Sequence, residues 1–273
     1  MIPFHVVIPA RLSSTRLPGK PLLPIAGKPM VVRVAEQVAK SGAQQIWIAT
    51  DHHSIIDAVH AHGFKACLTH TSHLSGTDRI AEVVQQQQWP DDTIVVNVQG
   101  DEPLMPPPLI RAVAQHLHDH PQCSIATACH PIHDERTMRN PNVVKVVLDK
   151  QGNALYFSRA PIAYPRDMFK GLFSPERRDI SSPPHRGEGG TEGAAESLSA
   201  LRHIGIYAYR ASFLRAFGQL EPAAIEKIEA LEQLRALWHG YKIGVTISAD
   251  APPGGVDTEE DLHAARKLFD GGV

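Results

Sequence analysis

Three basic side chains fall within one short interruption of regular structure near the start of the chain. Residues 9–22 read PARLSSTRLPGKPL, and they include Arg11, Arg16 and Lys20 but no acidic residue. We call this segment the basic loop. It follows an apolar run and precedes a predicted helix, so its N–H groups and cations favour a phosphate ligand. A solvated surface loop is the alternative, and the spacing matches neither the GxxxxGK[ST] loop of ATPases nor the GxGxxG fingerprint of dehydrogenases.

Acidic side chains stand at two places where a carboxylate is costly without a partner. Asp101 and Glu102 follow the apolar run at residues 93–98, and Asp257 follows two glycines before a predicted helix. A carboxylate at the end of a buried strand needs a cation or a metal, and Mg²⁺ combines one or two carboxylates with substrate phosphate oxygens. A Gly-Asp turn and a helix-cap neighbour are the simpler interpretations. Beside the basic loop, Asp101 and Asp257 favour a Mg²⁺–nucleotide site.

Alternating strands and helices must position these groups in the first 120 residues. Strands are predicted at residues 4–8, 46–50, 65–69 and 93–98, with helices beginning near residues 30, 55 and 76. This alternation predicts parallel strands joined by right-handed crossovers. Ligands of such sheets bind at the carboxyl ends of the strands. We therefore expect the basic loop and Asp101 to face one crevice.

The pattern changes after residue 120, where strand-like segments predict a mixed or antiparallel extension of the sheet. They lie at residues 124–132, 143–149, 154–162, 203–210 and 241–247. Residues 225–240 predict a single helix, because Ile225, Ile228, Leu231 and Leu234 fall on one stripe. A last helix is predicted at residues 258–269, with Thr258 as N-cap and Asp261 at the third helical position.

Composition limits the class of protein. The chain has 273 residues and a net charge of −2, which argues against a nucleic-acid-binding surface. Cys67, Cys123 and Cys129 are odd in number and form no CxxC pair, so we expect reduced core thiols in a cytoplasmic protein. No apolar run approaches the ~20 residues of a membrane helix, so no membrane insertion is expected. Residues 174–199 are rich in Ser, Pro and Gly and predict a disordered surface insertion.

Several motifs stand together in an order typical of one enzyme family. They include the basic loop, SGTDR at 75–79, NVQGDEP at 97–103, NPNVVKVV at 140–147, RHIGIYAY at 202–209, EALEQLRALWHG at 229–240 and GVDTEEDL at 255–262. With these motifs the chain resembles the 3-deoxy-manno-octulosonate cytidylyltransferases, or CMP-Kdo synthetases. The resemblance covers essentially the whole chain. It departs from the family at residues 174–199, which are longer than the usual connection.

The resemblance implies a fold and a reaction. The fold would be a single α/β nucleotidyltransferase domain, with a mostly parallel, Rossmann-like sheet flanked by helices. Residues 1–120 would mainly bind CTP, and residues 121–273 would mainly bind the sugar and form a homodimer. The reaction would be CTP + Kdo → CMP-Kdo + pyrophosphate, with Mg²⁺ as cofactor, for lipopolysaccharide synthesis. Related acid sugars such as sialic acid or amino-Kdo stay open as substrates, as do a non-catalytic nucleotide-binding regulator and a scaffold acting through residues 174–199.

The resemblance also implies roles for individual residues. Arg11 and Lys20 would hold the CTP phosphates, and Asp101 and Asp257 would carry Mg²⁺. Segments expected near the cytidine contain Ala10, Ser75 and Gly76. Segments expected to line the sugar site contain Arg79, Gln99, Arg159, His203, Tyr207, Glu232 and Gln233. Among these, Arg79 and Arg159 are the expected partners of the sugar carboxylate.

Overall fold

The structure is a computed structural model. It describes residues 2–14, 16–73, 75–164 and 200–271. The insertion predicted at residues 174–199 lies outside the described residues.

A nine-stranded mixed sheet forms the centre of the part of the chain that the structure describes. Its strands are β1 His5–Ala10, β4 Gln45–Thr50, β5 Lys65–Leu68, β6 Ile94–Asn97, β7 Ile125–Pro131, β8 Lys145–Leu148, β9 Ala154–Ser158, β10 Leu201–Arg210 and β11 Ile243–Ile247. Seven of them follow the order β11-β7-β10-β6-β1-β4-β5. Strand β8 pairs with β10 and also with β9. A separate two-stranded ribbon joins β2 Pro24–Ile25 to β3 Lys28–Pro29.

Helices cover both faces of this sheet. They are α1 Met30–Ala39, α2 His53–His60, α3 Gly76–Gln86, α4 Pro107–Asp119, α5 Glu135–Arg139, α6 Ala211–Phe217, α7 Ala224–Glu229, α8 Gln233–Trp238 and α9 Glu259–Asp270. A short 3-10 helix spans Lys20–Leu22. In β1, Val6 and Ile8 pack on the face covered by α1 and α4, whereas Val7 packs on the α3 face. Burial on both faces explains the continuous apolar run of β1.

Strand directions confirm the predicted mostly parallel sheet with antiparallel elements. Strand β1 pairs in parallel with β4 and with β6, and β11 pairs in parallel with β7. Strand β10 runs antiparallel to both β6 and β7, so the reversal lies within the sheet. The carboxyl ends of β1 and β6 therefore emerge at the same edge, next to each other.

The predicted helix over residues 225–240 is wrong, because the structure divides it into α7 and α8. Ala230 adopts a left-handed conformation with φ of 51° and ends α7. The Arg159 guanidinium donates to the Glu229 carbonyl at 2.7 Å. This bond satisfies a carbonyl that has no intrahelical partner at the end of α7. The ion pair between Arg235 and Glu226 then joins the two short helices. Ile228 is consequently 82% exposed and does not continue a buried stripe.

The predictions for the cap of α9 and for the three cysteines are confirmed. Thr258 caps α9 by accepting from the Asp261 N–H, and Asp261 accepts from the Thr258 N–H in return. The three cysteines are free and buried. Within the described residues, no helix combines the length and apolarity needed to cross a membrane.

Candidate active site

The basic loop and residues 99–102 meet where β1 and β6 end. Gly100 allows this approach, because a Cβ at that position would lie only 2.8 Å from the Pro9 carbonyl oxygen. The two segments can therefore approach closely only if residue 100 has no side chain. The crevice predicted from the strand order is present at this edge.

A buried leucine anchors the basic loop to the C-terminal part of the chain. Leu17 packs in one apolar cluster with Met30, Val256 and Leu262. Gly19 takes a left-handed φ of 65° immediately before the 3-10 helix that begins at Lys20. The turn and the apolar anchor bring Lys20 next to the residue that follows Val256, which is Asp257.

Lys20 joins the two aspartates predicted as metal ligands. Its Nζ lies 2.5 Å from Asp101 Oδ2, 3.0 Å from Asp257 Oδ1 and 2.9 Å from the Val256 carbonyl oxygen. Arg16 Nη2 lies 3.1 Å from the same Asp257 oxygen. Two cations thus face two carboxylates, and the Lys20 side chain is only 15% exposed. These four side chains carry no net charge together, so a charged ligand must replace some of the ion pairs that already join them.

Glu102 adds little negative charge to this group near neutral pH. Burial, together with the neighbouring carboxylates of Asp101 and Asp257, raises the pKa of Glu102 to about 8. The protonated form is therefore the main one at pH 7.

A cleft of about 660 Å³ opens above these charges, and we call it the charged cleft. Its walls include Ala10, Arg11, Arg16, Lys20, Ser75, Gly76, Arg79, Gln99, Asp101, Glu232 and Asp257. Ser75 caps the N-terminus of α3 by accepting from the Asp78 N–H at 3.1 Å. All the residues predicted near the nucleotide or the metal therefore border one space.

A second cavity of about 380 Å³ adjoins the first, and we call it the aromatic pocket. The predicted sugar residues Gln99, Tyr207, Glu232 and Gln233 border it. Its other walls include Tyr209, Phe213 and Phe217. The Tyr207 and Tyr209 rings are stacked with centroids 5.7 Å apart. Gln99 and Glu232 border both cavities, so a molecule in one would contact a molecule in the other there.

Glu232 is held at this boundary by the start of α3. The Thr77 hydroxyl donates to Glu232 Oε2 at 3.0 Å. Burial raises the pKa of Glu232, and Asp78 raises it further, while the bonds from Thr77 and Ser75 oppose the shift. The break at Ala230 places Glu232 at the N-cap of α8, at the boundary.

Comparisons with known proteins place this architecture in a family. A family model described as cytidylyltransferase matches residues 5–243. A solved structure of CMP:2-keto-3-deoxy-manno-octonic acid synthetase complexed with CTP is 39% identical, with a TM-score of 0.83, and 99% of each chain is covered. The chain belongs to the cytidylyltransferase family. A cytidylyltransferase from Leptospira borgpetersenii serovar Hardjo-bovis, 14% identical with a TM-score of 0.60 over 100% of this chain and 89% of that one, shares the fold.

Arg79 of this cytidylyltransferase is engaged differently from the prediction. Its guanidinium donates to Asp51 Oδ2 at 3.0 Å and to the Thr69 hydroxyl, and Arg79 is 4% exposed. It borders the charged cleft but not the aromatic pocket. The Arg79 charge is thus paired with Asp51, and its predicted contact with the sugar carboxylate stays a prediction. Arg79 instead ties α3 to the ends of β4 and β5.

Arg159 borders neither of the two cavities, and its predicted contact with the sugar stays a prediction. Its guanidinium donates to the carbonyls of Glu229 at 2.7 Å, Pro141 at 3.0 Å and Ala230 at 3.4 Å. The Glu229 carboxylate in turn accepts from the Arg159 backbone N–H and the Ser158 hydroxyl. These bonds make Arg159 a brace for the turn between α7 and α8.

His203 lies behind the aromatic pocket and does not border it. Its Nε2 is 2.9 Å from the Thr127 hydroxyl, and its ring packs against Phe157 and Tyr207. Burial lowers the pKa of His203 to about 3, so the imidazole is neutral in the physiological range. It supports Tyr207, which does border the pocket.

The sequence predictions missed the additional aromatic walls of the pocket. Tyr209, Phe213 and Phe217 come from β10 and α6. Tyr207 and Tyr209 are two residues apart in a strand, so their side chains lie on one face. That spacing could have indicated an aromatic surface. The contribution of Phe213 and Phe217 could not have been predicted, because the position of α6 beside the pocket depends on the fold.

The donor set fits a hard divalent cation only in part. Asp101 and Asp257 supply carboxylate oxygens, the ligand type that Mg²⁺ prefers. In the described ranges, no group of three or more His, Cys, Asp or Glu side chains is arranged to hold a metal. The Lys20 ammonium between the two carboxylates shows that a cation fits there. A Mg²⁺ ion at this place would need further oxygens from a phosphate ligand.

Proposed function

We propose that this cytidylyltransferase transfers CMP from CTP to the acid sugar Kdo and releases pyrophosphate, in support of lipopolysaccharide synthesis. The observation that carries the proposal is the joining of the two cavities at Gln99 and Glu232. A nucleotide in the charged cleft and a sugar in the aromatic pocket would meet there. The 39% identity to a CMP:2-keto-3-deoxy-manno-octonic acid synthetase supports this choice of acceptor.

The chemistry is a displacement at the α-phosphorus of CTP. The anomeric hydroxyl oxygen of Kdo forms a new bond to that phosphorus, and the bond from phosphorus to the bridging oxygen of pyrophosphate breaks. The hydroxyl proton leaves to solvent, and pyrophosphate takes the electron pair. Positioning and charge neutralisation supply most of the catalysis in such transfers.

Lys20, Arg11 and Arg16 would neutralise the triphosphate. On nucleotide binding, Lys20 would exchange Asp101 and Asp257 for phosphate oxygens, and Arg16 would likewise leave Asp257. The freed carboxylates would then hold Mg²⁺, which when bound supplies positive charge to the phosphates. Lys20 would stabilise the charge that develops on the phosphates as the bond breaks.

Polar side chains on the pocket side would orient the sugar. Gln99, Glu232 and Gln233 offer hydrogen bonds to hydroxyl groups, and Tyr207 offers an aromatic surface. Ala10, Ser75 and Gly76 border the charged cleft and would contact the cytidine. Asp257 and Glu232 belong to the half after residue 120, so both halves would contribute to one reaction site.

We also propose a cytoplasmic homodimer that uses the half after residue 120. That half exposes large apolar side chains at Leu155, Ile228 and Trp238. Aromatic residues are enriched in protein interfaces, and the core of a homodimer interface is more apolar than the rest of the surface. Light scattering coupled to size exclusion should give twice the chain mass, and Ile228→Asp should shift it toward one chain. A monomeric wild type would contradict the dimer.

Pyrophosphate release tests the function and separates it from its alternatives. The protein would be assayed with Mg²⁺ and CTP, with Kdo, sialic acid, amino-Kdo or no sugar, and with ATP, GTP and UTP as controls. We expect pyrophosphate release only from the pair of CTP and Kdo. Release with a different sugar would reassign the acceptor. Nucleotide binding without release from any pair would favour the regulator.

A further inference from the structure

An unpartnered polar atom lies beside the aromatic pocket. Among the described residues, three buried side-chain atoms have no hydrogen-bond partner: His5 Nδ1, Glu102 Oε2 and Thr246 Oγ1. A buried polar atom left unpaired destabilises the folded protein, so each instance needs a reason. Of these three residues, only Glu102 borders one of the two cavities described above.

The position of Glu102 is fixed by packing. Its backbone N–H donates to the Gln99 carbonyl at 3.1 Å, and the Val256 N–H donates to the Asp101 carbonyl at 2.8 Å. A Cβ on Gly255 would lie 3.4 Å from Glu102 Cγ, so the segment carrying Asp257 packs directly against the glutamate stem. The carboxyl group is therefore held in place before any ligand arrives.

The surroundings favour a polyhydroxyl ligand over a phosphate as the partner of this group. Glu102 borders the aromatic pocket and not the charged cleft. It stands next to Asp101, whose charge is already paired with Lys20. A buried carboxyl group offers no positive charge to a phosphate, whereas a sugar hydroxyl can both donate a hydrogen bond to it and accept one from it.

We propose that Glu102 hydrogen-bonds a hydroxyl group of the acceptor sugar and fixes its reactive end at the boundary of the two cavities. The identity of the acceptor as Kdo rests on the proposed function. Glu102 would thus be a substrate-contacting residue whose unpaired oxygen in the free protein is satisfied when the sugar binds. Functional sites commonly keep such unsatisfied groups at the expense of stability.

Two substitutions of similar length separate this role from a structural one. Glu102→Met removes the hydrogen bond, so the KM for Kdo should rise about tenfold while the KM for CTP changes less than about twofold. Its melting temperature should rise, because an unpaired buried oxygen is removed. Glu102→Gln keeps a hydrogen-bonding group and should bring the KM for Kdo back to within about threefold of wild type.

Thr246→Val is the matched control. Thr246 lies on β11 and also has a buried, unpartnered oxygen, but it borders neither cavity. Its substitution should raise the melting temperature and leave both KM values unchanged. A change in KM for this variant would mean that a gain in stability alone alters sugar binding, and it would overturn the inference.

A binding measurement keeps this inference distinguishable from the proposed function. The stabilisation of wild type and variants by Kdo would be followed by thermal shift in the presence of CTP and Ca²⁺. Wild type stabilised by Kdo, with the effect lost in Glu102→Met and kept in Glu102→Gln, is the expected result. If wild type is active and Glu102→Met has the same KM for Kdo and the same stabilisation by Kdo, the inference about Glu102 is overturned but the proposed function is not. A wild type that neither releases pyrophosphate nor is stabilised by Kdo would overturn both.

Discussion

In the charged cleft Lys20 and Arg16 form ion pairs with the carboxylates. In the aromatic pocket a few polar side chains lie among aromatic side chains. Lys20 and Arg16 neutralise Asp101 and Asp257. Glu102, on the pocket side, keeps an oxygen without a partner. The cleft is thus suited to a ligand that brings its own charges and exchanges partners. The pocket is suited to a ligand that fits fixed groups, so substrate choice should depend mainly on the pocket.

The largest effect should come from Asp101, on the cleft side. Asp101→Asn removes a carboxylate that would hold Mg²⁺ and leaves Lys20 short of a partner, so kcat should fall by at least about 10³-fold. Asp92→Asn, an exposed aspartate near the start of β6, is the control and should match wild type. Near-normal turnover of Asp101→Asn at saturating Mg²⁺ would refute the metal role.

Lys20→Ala should also act on the chemical step. Loss of one charge contact in the transition state is worth about 10²–10³-fold in kcat. Steady-state kinetics would resolve kcat from the KM for CTP, and Lys28→Ala, whose ammonium pairs with Glu36, is the control. A rise in KM at constant kcat would reduce Lys20 to simple binding.

The same variant sharpens the comparison through metal binding to the free protein. The ion-paired group of Lys20, Arg16, Asp101 and Asp257 has two positive and two negative charges that sum to zero, and Lys20→Ala leaves it at −1. Mn²⁺ measured by electron paramagnetic resonance without nucleotide should therefore bind the variant about tenfold more tightly than wild type. Equal affinities would show that the ammonium does not compete with the metal.

Glu232 tests the pocket side of the boundary. Glu232→Gln removes the charge and alters the bond from Thr77, so the KM for Kdo should rise about tenfold with the KM for CTP unchanged. Glu260→Gln, on the exposed start of α9, serves as the control. If both KM values rose together, the two regions could not be assigned to different substrates.

His203 should affect stability through pH. Because burial lowers its pKa to about 3, the unfolded chain binds a proton more readily than the folded one between that value and 6.5. Stability from this group is present above pH 6.5 and is lost as pH falls, by up to about 1.4 kcal/mol per pH unit. Denaturant unfolding of His203→Gln should therefore show a shallower decline from pH 7 to pH 4 than wild type or His53→Gln. Parallel declines would contradict a buried, neutral imidazole.

The sequence predicted the parts of this molecule whose signals are local. The apolar run of β1, the capping box of α9 and the meeting of strand ends follow from periodicity, cap residues and the rule for parallel sheets. The same rules predicted that Lys20 and Asp101 would face one crevice.

Features that depend on tertiary partners were not predictable in this way. The stripe from Ile225 to Leu234 indicates one helix, but the structure breaks it at Ala230. Arg159, which is distant in the sequence, and Arg235, on the next helix, contact this turn and stabilise the break. Arg79 looked available for a ligand because nothing in the sequence shows that Asp51 lies opposite it. Long-range pairing of charges decides which cations stay free, and only the fold reveals that pairing.

The most direct test of the central claim is to identify the product by ³¹P nuclear magnetic resonance. Wild-type protein would be incubated with CTP, Mg²⁺ and Kdo, and the spectra followed to completion. We expect a phosphodiester signal from CMP-Kdo in equal amount to pyrophosphate, and no consumption of CTP when the sugar is omitted. The account would be contradicted if pyrophosphate and free CMP formed from the start and at the same rate without sugar. It would also be contradicted if CTP stayed unchanged in the presence of Kdo.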